Sequence, residues 1–318
     1  MLRCAQGTLY TGITNDLARR LRAHREGRGA RYTRGRLPLE LVYREEAPSH
    51  GAAARREREI KGLRRGDKLG LVTASGGASA QGRRQPPHDL AAVLAEIRAK
   101  ARPDQLAGRA RFGITGAGRL GLAVPDMRRI AQKTGRNHAL ALKLWRTGNP
   151  DARIVAALVA EPERLSDREM EEWVGDFASW DVCDQVCRNL FDKCPRAWQK
   201  IREWAEREET FVRRAAFALI ACLAWHDREA PDRHFTELLP LIRRGALDER
   251  TSVKKAVSWA LRRIGKRSAR LNRAALAEAQ RMRALDSRSA RWVAATAIRE
   301  LQGEAVRRRL GIRTDRLL

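Results

Sequence analysis

Trp180 and Asp184 stand one helical turn apart in Ser179-Trp180-Asp181-Val182-Cys183-Asp184, so a helix here presents an indole and a carboxylate on one face. Further on, Lys254-Lys255-Ala256-Val257-Ser258-Trp259-Ala260-Leu261-Arg262 sets a second indole close to Arg262 in helical projection. Two indoles, one carboxylate and flanking arginines suit a cation held within a polyanion, because ring faces attract positive charge and guanidiniums bind phosphates. The competing reading of Asp184 is a capping or helix-surface carboxylate. Trp145, Trp173, Trp198, Trp204 and Trp225 lie in apolar-periodic helices and are expected in the core.

The whole composition points the same way. In 318 residues, 65 Lys and Arg face 38 Asp and Glu, a net charge of +27, which suits a large polyanion. No apolar run reaches the length of a membrane span and Met1-Leu2-Arg3 opens no signal segment, so a cytoplasmic, nucleoid-associated protein is expected. Five cysteines, an odd number, suit free thiols in a reducing compartment. Cys183, Cys187 and Cys194 have no His close by in sequence and lack knuckle-like spacing, so packed thiols fit them better than zinc ligands.

The elements that must position these residues fall into two parts. Residues 73–87, rich in Gly, Ser and Ala and ending on Arg83-Arg84 and Pro86-Pro87, read as a flexible linker. Residues 1–72 carry a charge of +9 and the remainder +18, so each part is basic in its own right. In the first part, Thr8–Thr11 and Leu39–Tyr43 read as strands, Asp16 caps a helix over Leu17–His24, and Ala52–Leu63 reads as a second helix.

From residue 88 to 312 the pattern is almost wholly helical and repetitive. Phe211-Val212-Arg213-Arg214-Ala215-Ala216, Ser252-Val253-Lys254-Lys255-Ala256-Val257 and Ser289-Ala290-Arg291-Trp292-Val293-Ala294 align, with Arg214, Lys255 and Arg291 at the equivalent place. Their spacing is that of helical-pair repeats, so the fold expected is mainly α: a HEAT-like helical-repeat solenoid preceded by a small α/β domain. A basic residue recurring in each repeat forms a stripe matched to phosphates, or else the solvated face of each helix.

The second part resembles the bacterial HEAT-repeat alkylpurine DNA glycosylases, the AlkD-like proteins, through Trp180-Asp181-x-x-Asp184, Arg213-Arg214-Ala215 and Lys255-Ala256-x-x-Trp259-x-x-Arg262. The resemblance implies that Trp180 and Trp259 contact a damaged nucleotide, that Asp184 stabilises the sugar cation as the N-glycosidic bond breaks, and that Arg214 and Arg262 grip phosphates. Arg213, Lys254, Lys255 and Arg291 join them as DNA-binding candidates. No cofactor is implied for this part.

The first part resembles the GIY-YIG endonucleases through Gly7-Thr8-Leu9-Tyr10-Thr11-Gly12, Asp16, Arg20 and His24, and through Ala54-Arg55-Arg56-Glu57-x-x-Ile60-Lys61. The resemblance implies that Glu57 holds one divalent metal, Mg²⁺, that Arg20 binds the scissile phosphate, that Tyr10 positions or activates the nucleophile, and that His24 contributes to DNA binding. Glu59 is a neighbouring carboxylate that a different helix alignment would select. The family's first triplet would fall about ten residues before Tyr10, so the domain is expected to be incomplete at its first strand, with an unstable sheet edge and weak or no cleavage.

The expectation is therefore a monomeric DNA-repair protein acting on double-stranded, alkylated DNA. The alternative is a non-catalytic binder of branched or damaged DNA, using the same basic face.

Overall fold

The N-terminal sheet is built on a strand that sequence reading had largely discounted. The computed structural model describes residues 1–5, 7–33, 35–72 and 89–312; residues 73–87, read above as a linker, lie outside the described residues. In it, β1 (Leu2–Cys4) lies in the middle of a three-stranded antiparallel sheet, between β2 (Leu9–Tyr10) and β3 (Leu39–Leu41). Leu2 faces Tyr10 on one side and Leu41 on the other. Gly7, at φ 74°, takes the left-handed turn that lets β2 fold back on β1. The strand expected to be missing is thus present in three residues, and they are the central ones.

Alternation along β1 gives each face its own helix. Leu2 and Cys4 pack with Leu39 and with Leu21 of α1 (Leu17–Arg25), whereas Met1 packs with Ile60 of α2 (His50–Gly62) and with Val72. Residues 65–72 form a further helix, α3. Asp16 accepts a hydrogen bond from the Arg19 amide at 2.9 Å and so caps α1, as its sequence position predicts.

The chain divides into two compact units, Met1–Pro87 and His88–Leu318. The regular elements among the described residues of the second unit are all helices: α4 (Leu90–Ala99), α5 (Leu106–Ala110), α6 (Val124–Thr134), α7 (His138–Arg146), α8 (Pro150–Val159), α9 (Asp167–Gly175), α10 (Trp180–Asn189), α11 (Ala197–Ala205), α12 (Thr210–His226), α13 (Asp232–Thr236), α14 (Leu239–Gly245), α15 (Thr251–Gly265), α16 (Ala269–Arg283), α17 (Arg288–Leu301) and α18 (Glu304–Arg309), with short 3-10 turns between some of them. Among the described residues, no helix is long and apolar enough to cross a membrane.

Helices α6, α8, α10, α12, α15 and α17 pack side by side in one continuous row, each backed by a partner such as α7, α11 or α16. This is a HEAT-like array, and Arg214, Lys255 and Arg291 fall on three consecutive members of the row. Helix α12 runs through its centre, with Ala215 to Ala224 buried without a break. Gly245 makes the close approach of α14 possible, since a Cβ there would lie 2.2 Å from the Phe217 ring.

The tryptophans mostly fill this core. Trp145 and Trp173 stack at 3.9 Å, and Trp204 is fully buried. Trp225 departs from the expectation: it is 36% exposed at the last turn of α12. All five cysteines are buried free thiols.

Candidate functional site

Asp184 sits on α10 one turn after Trp180, and its carboxylate is gripped by Arg214 of α12: Nε donates to Oδ1 at 3.0 Å and Nη2 to Oδ2 at 2.8 Å. The remaining arm, Nη1, donates to the Ser252 carbonyl on α15. One guanidinium thereby joins three consecutive helices of the row, and its centre lies 5.8 Å from the Trp180 ring. Burial pushes the Asp184 carboxyl above the usual carboxylate range; Arg214 opposes the shift and Asp181 adds to it. Its side chain keeps 18% of its surface open, against 7% for Arg214.

Trp180 is fixed in turn by a glycine-rich loop. Its indole N–H donates to the Phe112 carbonyl at 2.8 Å, and Gly113, at φ 72°, passes close enough that a Cβ would touch the ring at 3.8 Å. The same loop carries Arg119, which is buried and donates to both oxygens of Asp181 at 2.8 and 3.1 Å and to Ser179 Oγ at 3.1 Å. The start of α10 is therefore stapled at Trp180 and at Asp181. Trp259 lies on α15 two turns after Ser252, half-buried against the core.

Several arginines expected to hold phosphates hold protein instead. Arg214 is buried and committed to Asp184 and Ser252. Arg213 binds Asp248 at 3.2 Å and the Ala205 carbonyl at 2.9 Å. Arg262 binds Glu300 at 2.8 Å and Ser258 Oγ, with burial pulling its pKa down. Arg291 is exposed but paired with Asp286. Lys254 faces the Trp292 ring at 5.8 Å, and Lys255 is exposed with no carboxylate partner among the described residues. Acidic residues are the physical reason: neighbouring repeats supply Asp184, Asp248 and Glu300, and the turn before α17 supplies Asp286.

In the first unit, Tyr10 lies in an aromatic column, 5.3 Å from the His24 ring and stacked at 6.1 Å on Tyr32, over which Arg36 sits at 4.1 Å. Gly12 leaves room between the phenol and Arg20: a Cβ there would be 3.3 Å from Tyr10 Oη and 3.6 Å from Arg20 Nη2. His24 is only 2% exposed, so it cannot grasp a DNA backbone, as sequence reading supposed. It is a positioned group. Thr33 donates its hydroxyl hydrogen to the Ala30 carbonyl at 2.9 Å and accepts from His24 Nδ1 at 2.7 Å, which leaves Nε2 as the acceptor nitrogen. Burial, then Arg20, pull its pKa down and favour the neutral ring.

Glu57 and Glu59 of α2 are separated by their surroundings. Glu57 is 19% exposed and pairs with Lys61 at 3.0 Å, whereas Glu59 is 61% exposed and pairs with Arg56 at 2.9 Å. Among the described residues no group of three or more His, Cys, Asp or Glu side chains is placed to hold a metal.

Sequence reading missed Arg119, Gly29, Tyr32 and Thr33. Gly29 touches His24 so closely that a Cβ would lie 2.4 Å from Nδ1. The available signal was glycine spacing, Gly113, Gly116, Gly118 and Gly121 in one loop and Gly27 and Gly29 in the other.

Comparison with known proteins accords with both halves. A family model described as DNA alkylation repair enzyme matches residues 93–301, and the GIY-YIG catalytic domain model matches residues 1–69. A UPF0213 protein of Natronomonas pharaonis is 53% identical over 72 residues, 23% of this chain and 85% of the relative. One from Nitratidesulfovibrio vulgaris is 49% identical over 77 residues, 24% of this chain and 70% of the relative. A solved structure, described as a new family of proteins related to the HEAT-like repeat DNA glycosylases with affinity for branched DNA structures, matches with a TM-score of 0.59 at 19% identity, covering 72% of this chain and 99% of that one.

Proposed function

Because the chain belongs to the DNA alkylation repair enzyme family over residues 93–301 and carries a GIY-YIG catalytic domain over residues 1–69, we propose that its helical unit hydrolyses the N-glycosidic bond of N3- or N7-alkylated purines in duplex DNA. The observation that supports this most directly is the Asp184 carboxylate, shielded from solvent, fixed by Arg214 and adjacent to Trp180.

Alkylation at N3 or N7 makes the purine a cationic leaving group that needs no general acid. As the C1′–N bond breaks, its electron pair goes to the purine, whose charge is neutralised, and positive charge develops on the sugar. A carboxylate held in fixed orientation lowers the energy of that charge, and the faces of Trp180 and Trp259 add to it. Water then adds at C1′ and gives up its proton to solvent. Arg214 favours the ionised form of Asp184 and so opposes the burial that favours the neutral acid.

The test is release of 7-methylguanine and 3-methyladenine from methylated duplex by the full chain in EDTA, with Asp184→Asn in parallel. Loss of release in a folded variant supports the reading, and retained release overturns it. A second reading, non-catalytic binding of branched or damaged DNA, is favoured by two observations: both Asp184 oxygens are already engaged, and the related fold is described as having affinity for branched DNA. Tight, salt-dependent binding without release by the wild type selects it.

For residues 1–69 the reading is metal-dependent strand cleavage. Glu57 would hold Mg²⁺, and a lone, largely shielded carboxylate fits an ion that keeps most of its waters. Bound there, the ion would neutralise charge on the phosphate oxygens. Arg20 binds the phosphate and Tyr10 orients the attacking group, with the neutral His24 ring packed beside Tyr10. Joining the two activities would place incision next to the abasic site that base release leaves, at high local concentration.

A further inference from the structure

Midway along the helical row, the C-terminal ends of its helices carry a second cationic site that neither resemblance uses. Arg188, in the last turn of α10, and Arg263, in the last turn of α15, both place their guanidiniums over the Trp225 ring, at 4.4 and 4.3 Å from its centroid. Three helices of the row thus converge on one indole that remains 36% exposed. Unlike Arg213, Arg214 and Arg262, neither arginine has a carboxylate partner among the described residues. Asp192, with its side chain fully buried, is already bound by Lys193 and by His226, whose ring stacks on Trp225 at 4.9 Å.

Like charges crowd this end. Burial pulls the Arg263 pKa down, and Arg188, Arg309 and Arg262 push it further in the same direction. Lys266 is lowered by burial and then by Arg263, Arg262 and Arg309, and its ion-pair partner Glu300 is shared with Arg262. Helix dipoles favour a cation in each last turn. They do not explain two guanidiniums closing on one ring with their charges uncompensated; an arriving anion does.

Register fixes where the site lies. Arg214 meets Ser252 and Trp225 meets Arg263, the same offset along α12 and α15, so the two contacts are eleven residues apart on both helices. At 1.5 Å per residue that is about 16 Å. Eleven residues is also close to three full turns, so Arg214 and Trp225 share one face of α12. We infer that Arg188, Trp225 and Arg263 form a second phosphodiester-binding site, engaging the DNA backbone on the C-terminal side of the Asp184 position, one turn further along α10 and three turns further along α12 and α15. Guanidinium forks match phosphate oxygens in pairs, and the indole sets their spacing before the strand arrives. Contacts at both ends fix the orientation of the DNA across the row. This inference rests on the DNA-binding part of the proposed function, and not on base release.

The test measures binding of the full chain to unmodified duplex and to a four-way junction across a salt series. For Arg188→Gln with Arg263→Gln, the slope of log K against log salt should fall by about 1.8 and affinity at low salt by about tenfold. Trp225→Leu removes no charge, yet should also weaken binding, because the guanidiniums lose the surface that spaces them. Arg270→Gln with Arg273→Gln, two exposed arginines on α16, supplies the equal-charge control and should leave the slope near wild type. Unchanged binding by the Arg188 and Arg263 pair, or an equal loss in the control, overturns the inference. Thermal unfolding of each variant establishes that it is folded. If the wild type releases methylated bases while the paired variant binds normally, this inference alone fails; if the wild type neither releases bases nor binds DNA, the function it rests on fails with it.

Discussion

The two units hold their reactive groups in opposite ways. In the helical unit the carboxylate is set inside the protein, tied by a two-pronged ion pair to a buried arginine that also reaches a third helix. In the N-terminal unit Arg20 is exposed, Glu57 is held by the solvent-facing Lys61 rather than by a buried arginine, and order comes from an aromatic column over a sheet of three short strands. The difference matches the charges each must meet. A sugar cation is stabilised by a negative charge that water does not screen. A phosphate approaching with a hydrated metal needs an open surface.

The largest effect should come from breaking the buried pair. Arg214→Leu leaves Asp184 unpartnered and should cost about 3–5 kcal/mol in urea unfolding, with base release abolished. In the first unit the corresponding break is Gly29→Ala, whose methyl would meet His24 Nδ1 at 2.4 Å. It should destabilise that unit by about 1–3 kcal/mol and abolish strand cleavage, while base release persists.

Acidity separates the units next. Burial raises the Asp184 pKa, so release should be lost as pH falls through a value above the usual aspartate range, about 3.9. Burial lowers that of His24, so its ring stays neutral, and cleavage by the first unit persists, below the ordinary imidazole value of about 6.5. Rate profiles of the two activities on one preparation would show it. The smallest effect belongs to Arg36→Gln, which removes the cation above Tyr32 and should cost about 0.5–1 kcal/mol with little change in cleavage.

Much of this was legible before any coordinates. Trp180 and Asp184 are four residues apart on one helix, so periodicity alone placed them together, and Asp16 announced the start of α1 by its type. What escaped were pairings between elements. Nothing local tells Arg214 that its partner lies thirty residues earlier, or Arg262 that Glu300 waits on α17. Those residues therefore looked like free cations. Trp225 looked like core because α12 is apolar almost to its end, and only the termination at His226 brings the ring to the surface. Likewise β1 has too few residues to show alternation, though Leu2 and Cys4 are buried and Arg3 is not.

Arg214 has a further consequence. In a helical array each pair ordinarily touches only its neighbours, and stability spreads along it one interface at a time. A side chain rooted in α12 that holds α10 with one edge and α15 with the other couples elements on opposite sides of it. The middle of the array should then open as one cooperative block rather than peel repeat by repeat. Amide exchange across α10, α12 and α15 should accordingly show a common opening free energy, set by the integrity of the reactive centre itself.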